Sequence, residues 1–232
     1  MEFRNYLLSA LDATDRAGIV PHLAEISLGR GQVLFEPGAP VEQVYFPSTA
    51  VLSVASVMED GRSVESSTIG HESASPILWA LAGTPSKARI FTQIGGGAIR
   101  APAAALRRLA QESAGLMALL LRHAASAQFQ AERGVACNIL HEAPARLARW
   151  ILMTQDRTGG QSLPLTQEYM AVMTGVQRTT ISVVANQLRS AGFIRFSRGN
   201  VEILDRPGLE AAACGCYRAV RAEFDGLQGP RS

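Results

Sequence analysis

Apolar positions change their period along this chain. From Gln32 to about Ala101 they come in short runs, Val33-Leu-Phe35, Gln43-Val-Tyr-Phe46, Val51–Val57, Ser63–Ile69, Ala88–Gln93 and Ala98–Arg100, cut by turn residues at Glu36-Pro-Gly38, Glu59-Asp-Gly61 and Gly95–Gly97. Short β-branched and aromatic runs at regular spacing predict antiparallel strands arranged as a sandwich or roll. Ahead of them, Tyr6–Leu11 and Ile19–Leu23 read as short helical pieces leading to a turn at Gly29-Arg-Gly31. After Ala101 the pattern turns helical and stays so to about Leu140. Met117, Leu121, Ala124, Gln128, Ala131, Val135 and Asn138 alternate steps of four and three, the seam of a two-stranded coiled coil. A single helix packed on its own sheet would use the same alanines. His141-Glu-Ala-Pro144 interrupts the pattern, and Pro144 fits the first turn of a new helix, Ala145–Leu152, so a hinge is predicted there.

The stretch Thr166–Gly192 reads as a helix-turn-helix. Thr166 is placed to cap the first helix and Glu168 lies near the positive end of its dipole. Gly175 supplies a left-handed turn residue, Ala171 a small residue at the helix crossing, and Met170, Val176, Ile181 and Val184 a shared core. In the second helix Ile181, Val184, Ala185 and Leu188 form one apolar stripe. The other face carries Arg178, Thr179, Ser182, Asn186 and Arg189, side chains able to reach base edges and phosphates in a major groove. Phe193–Phe196 and Val201–Leu204 flank a turn containing Gly199, a β-wing with Arg195 and Arg198 available for phosphate. An αα-hairpin inside a larger helical domain is the plainer alternative.

Composition adds limits. The chain has 232 residues, 47% hydrophobic and 18% charged, enough for one large or two modest cores. No apolar run reaches the ~18 residues that span a bilayer, and Met1-Glu-Phe-Arg-Asn5 lacks a signal-peptide core, so a cytoplasmic protein without a membrane partner is expected. Net charge is only +2, yet eight arginines face four acidic residues between Arg146 and Arg206. Cys137, Cys214 and Cys216 have no disulfide-framework spacing, and Cys214-Gly-Cys216 without further partners in the sequence is read as structural or incidental thiols, with no metal site.

Roll, long helix, hinge and winged helix-turn-helix in that order resemble the Crp/Fnr family of bacterial transcription regulators. The residues that carry the resemblance are Gly31-Gln-Val-Leu-Phe-Glu-Pro-Gly38 with Val44-Tyr-Phe46, and Gly175-Val-Gln-Arg-Thr-Thr-Ile181 with Leu188 and Gly192-Phe-Ile194. The fold class expected is α+β: an N-terminal antiparallel β-roll of the cyclic-nucleotide-binding kind (residues 1–103), a helical linker and dimerisation helix (104–141) and a winged helix-turn-helix (142–232). The resemblance implies an effector-binding roll, a homodimer through Met117, Leu121, Ala124, Gln128, Ala131 and Val135, and RNA polymerase as a partner. It also implies that double-stranded DNA is read by Thr166, Gln177, Arg178, Thr179, Ser182, Val183, Asn186, Arg189 and Arg198.

Three departures shape the expected function. The Gly-Glu and Arg-Ser/Thr-Ala segments that hold a cyclic nucleotide in relatives are replaced by Ser73–Ala88, with Pro76 near the glutamate position and Ser86 near the arginine. Neither Lys87 nor Arg89 restores a bidentate phosphate contact, so no tight binding of cyclic AMP is expected. Trp79, Lys87 and Arg89 remain as candidate effector-pocket residues, Trp79 also fitting simple core packing. There is no N-terminal cysteine cluster, the four histidines are scattered, and no cofactor is predicted. Where many relatives have Arg-Glu-Thr and a second Arg one turn on, this chain has Arg178-Thr179-Thr180 and Val183, which predicts a half-site richer in thymine methyl contacts. No catalytic constellation appears, and Gly95–Gly97 precedes a strand rather than a helix, so an enzyme is not expected. The reading is a sequence-specific regulator binding a palindrome as a homodimer, with an effector other than cyclic AMP or none. The alternative is a ligand-sensing module acting through protein contacts with a degenerate DNA reader.

Overall fold

The structure, a computed structural model, describes residues 3–197 and 199–227. Two short helices, α1 (Tyr6–Ser9) and α2 (Ala13–Ile19), open the chain. Asn5 caps α1 and is fully buried, its Nδ2 donating to the carbonyls of Pro47 (2.9 Å) and Ser73 (2.7 Å), which ties the lead-in to the roll.

The roll is two antiparallel sheets. One has the order β1 (Ala24–Leu28), β7 (Gly96–Pro102), β3 (Gln43–Pro47). The other has the order β2 (Val33–Phe35), β6 (Arg89–Ile94), β4 (Val51–Val57), β5 (Ser63–Ile69). Leu28, Phe35, Leu52, Ile69, Ile90 and Ala98 fill the space between them. Gly96 is required where it stands, because a Cβ there would lie 2.7 Å from the backbone nitrogen of Ala50. The Glu59–Gly61 segment closes the β4–β5 hairpin, with Gly61 at φ 81°.

Two segments differ from the sequence reading. Residues 24–28, for which the sequence predicts no element between the Ile19–Leu23 helical piece and the turn at Gly29–Gly31, form strand β1, with Ile26 opposite Ala98 of β7. Five residues alternate too briefly to stand out by period, and the sheet edge decides the outcome. Ile77–Ala82 forms helix α3, stopped by Gly83 at φ 66°, inside what read as an all-strand region.

Helix α4 (Ala103–Glu112) and helix α5 (Ala114–Leu140) divide at Ser113, whose hydroxyl accepts from the Leu116 N–H at 3.1 Å. Leu116, Leu119, Leu120 and Ala124 of α5 pack with Leu7, Leu8, Phe46 and Leu106 in a second core. The 4–3 seam therefore splits. Ala124 is buried against its own roll, Ala131 and Met117 are half-buried, and Leu121, Gln128 and Val135 face solvent. Ile139 and Leu140 extend the exposed side at 77% and 75% accessibility.

Helix α5 ends at Leu140, His141 and Glu142 are extended, and α6 (Ala143–Thr158) begins with Pro144 in its first turn. The C-terminal unit continues through β8 (Ser162–Leu163), α7 (Gln167–Thr174), α8 (Arg178–Ser190), β9 (Ile194–Ser197), β10 (Asn200–Ile203), α9 (Arg206–Ala212) and α10 (Cys216–Leu227). Its core joins Leu147, Trp150 and Ile151 of α6 to Met170, Ile181, Val184, Leu188, Val201 and Phe224, and reaches Val51 and Ile94 of the roll. Among the described residues, no helix is long and apolar enough to cross a membrane.

Candidate nucleic-acid interface

Thr166 caps α7 as its position demands, its hydroxyl accepting from the Tyr169 N–H at 3.3 Å. Gly175 takes φ 65°, a conformation that a side chain would strain, and sends the chain from α7 into α8. Met170 and Met173 of α7 and Ile181, Val184, Ala185 and Leu188 of α8 are all buried, with Ala171 and Val176 packed at the edge of the same core. That burial fixes the rotation of α8 about its axis.

The opposite face is consequently presented outward. Gln177, Arg178, Thr179, Asn186 and Arg189 are exposed, and Val183 stands among them at 59% accessibility. Ser182 is half-buried, donating to Gln167 Oε1 at 3.2 Å or back to the Arg178 carbonyl at 3.3 Å. Among the described residues, Arg178 and Arg189 form no ion pair, whereas Arg195 on β9 is held by Glu202 across the wing, Nε to Oε2 at 3.0 Å. The two arginines on the helix thus keep their charge available for an external anion, and Arg195 shares its charge within the sheet. Arg198 lies outside the described residues.

A polar layer that the sequence reading did not single out joins this unit to the roll. Glu72 meets Arg157 of α6 at 2.7 Å, both side chains buried; Arg157 also donates to Gln130 Oε1 of α5 at 2.9 Å, and Gln130 donates to the Thr68 carbonyl of β5 at 2.9 Å. Beside it, the Glu65 carboxylate accepts from Trp150 Nε1 at 3.0 Å, from Thr68 Oγ1 at 2.9 Å and from Ser53. Burial outweighs those donors and raises the Glu65 pKa to about 7. His123 on α5 is also buried, and desolvation lowers its pKa to about 4. None of these residues has a local motif; the packing of α5 and α6 against the roll brings them together.

A cavity of about 260 Å³ lies between the roll and α5, where α3 and the Ser75-Pro76 segment meet Ala124, Ala127, Gln128 and Ala131. Trp79 lines it, with Val54, Ile69 and Ser67, and among the described residues no charged side chain lines it. Lys87 and Arg89 are not at this cavity: Lys87 is exposed elsewhere and Arg89 pairs with Glu36 at 2.9 Å on the roll surface. Pro76 does line it, while Ser86 is turned into its own loop, donating to the Ala88 carbonyl at 2.7 Å. The cysteines also differ from expectation. Cys214 and Cys216 are not isolated, because the fold brings Cys137 and His141 of α5 against them.

A Crp-like helix-turn-helix domain family matches residues 145–212, from α6 to the end of α9. No curated protein matches the chain at the level of sequence. The fold is similar to that of a protein described as a Crp/Fnr-family regulator from Eubacterium rectale (17% identity, TM-score 0.71, covering 90% of this chain and 98% of that one). It is also similar to FixK2 from Bradyrhizobium japonicum (16%, TM-score 0.68, 83% and 98%) and to the c-di-GMP-responsive global regulator CLP from Xanthomonas campestris (13%, TM-score 0.69, 84% and 100%). Residues 145–212 are a Crp-like helix-turn-helix domain, set in a chain with the overall fold of the Crp/Fnr transcription regulators.

Proposed function

We propose that this protein is a sequence-specific DNA-binding transcription regulator that reads a palindromic site as a homodimer through helix α8. The observation that carries the reading is the division of α8 into a buried apolar face and an exposed face bearing Arg178, Thr179, Val183 and Asn186, with Arg178 in no ion pair among the described residues. An αα-hairpin serving only as packing has no use for an unpaired arginine and a solvent-facing valine on that side. Arg178 takes a guanine edge or a phosphate, Asn186 suits adenine, and Val183 offers a methyl surface to thymine. Thr166, Gln177, Ser182, Arg189 and Arg198 complete the contact set, chiefly to backbone phosphate. RNA polymerase is the expected macromolecular partner once the site is occupied.

The dimer forms through the exposed side of α5, where Leu121, Gln128 and Val135 of the 4–3 seam lie; Met117 and Ala131 border it and Ala124 faces inward. The effector, if the protein uses one, enters the cavity lined by Trp79. Its uncharged walls suit a small, largely apolar molecule and offer nothing to neutralise a cyclic phosphate. Calorimetric titration with cyclic AMP should therefore give no isotherm at micromolar affinity.

Arg178→Ala tests the central assignment. A DNA reader loses about 1–3 kcal/mol at its specific site while keeping its fold. Unchanged affinity for that site would instead support the alternative, a module that acts through protein contacts.

A further inference from the structure

All three cysteines of the chain and one of its four histidines converge at the junction between α5 and the C-terminal helices. Cys137 is on the last turn of α5, and His141, one turn further, is that helix's C-cap. Cys214 lies in the connection between α9 and α10, and Cys216 opens α10. Cys137 Sγ is 3.4 Å from Cys214 Sγ, Cys216 Sγ is 3.8 Å from His141 Nδ1, and all four candidate ligand atoms lie within 4.8 Å of one another. The cysteines are buried at 0%, 8% and 5% accessibility, while His141 closes the cluster from the solvent side.

We infer that Cys137, His141, Cys214 and Cys216 bind a single tetrahedral divalent metal ion of the zinc class. Thiolates held about 2.3 Å from a tetrahedral ion stand roughly 3.8 Å apart, so the four atoms need only small movements to close on one. They are too close together for an iron–sulfur cluster, whose thiolates attach to the outside of a multi-iron core. Three thiolates with an imidazole are the soft, mixed donor set that selects zinc over magnesium or calcium.

Charge supports the same assignment. Three thiolates, a neutral imidazole and a dication sum to one negative charge. Arg149 of α6, itself 8% exposed, acts on all three cysteines, and its Nε has no hydrogen-bond partner among the described residues. A buried guanidinium with an unused donor is costly beside neutral thiols and well placed beside an anionic metal centre. The start of α10 at Cys216 adds its positive dipole end.

The ion would bridge the two sides of the His141–Glu142 break, fastening the end of the long helix to α10. Its binding stands independently of the DNA-reading proposal. Its consequence for the angle between the two α8 helices rests on that proposal.

The test uses the full-length protein, reduced and stripped with a chelator, titrated with Co(II). One equivalent per chain should produce thiolate-to-cobalt charge transfer in the near ultraviolet and the intense visible bands of a tetrahedral site, both removed by Zn(II). His141→Ala, at an exposed position, should weaken binding on the order of tenfold or more. Cys214→Ser should weaken binding and lower the charge-transfer intensity per bound cobalt, since only two thiolates remain. Sub-stoichiometric uptake by the reduced wild-type protein, or a spectrum unaltered in His141→Ala, overturns the assignment. So does mass spectrometry in which Cys137 and Cys214 are joined as a disulfide despite saturating Zn(II). If Cys214→Ser fails to fold, His141→Ala decides alone, with circular dichroism as the check on its structure.

Discussion

Single residues set how firmly the roll holds the C-terminal unit. Arg157 and Glu72 are a buried pair, so removing one charge leaves the other uncompensated. Glu72→Gln should cost about 3–5 kcal/mol in urea unfolding at neutral pH; a loss of about 1 kcal/mol or less, as for an exposed pair, would show that the contact opens readily. Glu65 behaves differently, because its raised pKa makes the ionised form the unfavourable one. The folded protein binds a proton there from the unfolded value of 4.5 up to about 7. Stability from this group is therefore fully present below pH 4.5 and lost as pH rises through about 7. Comparing Glu65→Gln with wild type in urea melts, the variant should gain relative stability between pH 5 and pH 8; a constant difference would contradict the assignment. These two carboxylates were invisible in the sequence, where Glu65 sits in a serine-rich strand and Glu72 after a histidine. Their meaning comes from Trp150 and Arg157, 85 residues away in both cases.

Elements were legible where their period was long or their punctuation strong. Strands β2, β4 and β5 begin and end at the predicted residues, because β-branched alternation is bounded there by Pro-Gly and Asp-Gly turns. Strand β1 and helix α3 were missed, one too short to show a period and the other an apolar run whose length does not separate helix from strand. Helix α5 was legible as a helix but not in its facing: the 4–3 spacing could not reveal that Ala124 packs on its own roll while Ile139 and Leu140 extend the exposed side. That exposed side carries a prediction. Replacing Leu121 and Val135 together by Glu would place like charges across the proposed two-fold seam, and sedimentation at micromolar concentration should register a monomer that keeps native helicity. A dimer unaffected by the pair would move the interface off α5.

At the scale of the whole molecule, the polar layer around Arg157, the cavity lined by Trp79 and the Cys137–Cys216 cluster all lie along α5 or at its contact with the C-terminal unit. A ligand acts on such an arrangement only by favouring one relative orientation of the two parts over another. The helix-turn-helix itself was the most legible part of the chain, since Thr166, Gly175 and the apolar stripe of α8 are local signals that tertiary packing does not override. The cavity and the cysteine cluster were not legible, because each is assembled from segments far apart in sequence. The most direct measurement of the central claim is selection from a random double-stranded oligonucleotide pool with the purified full-length protein at physiological salt. The account predicts enrichment of an inverted repeat whose half-site centres are about 34 Å apart, with thymines favoured opposite Val183. Failure to enrich any sequence, or enrichment of a single unrepeated motif, would contradict it.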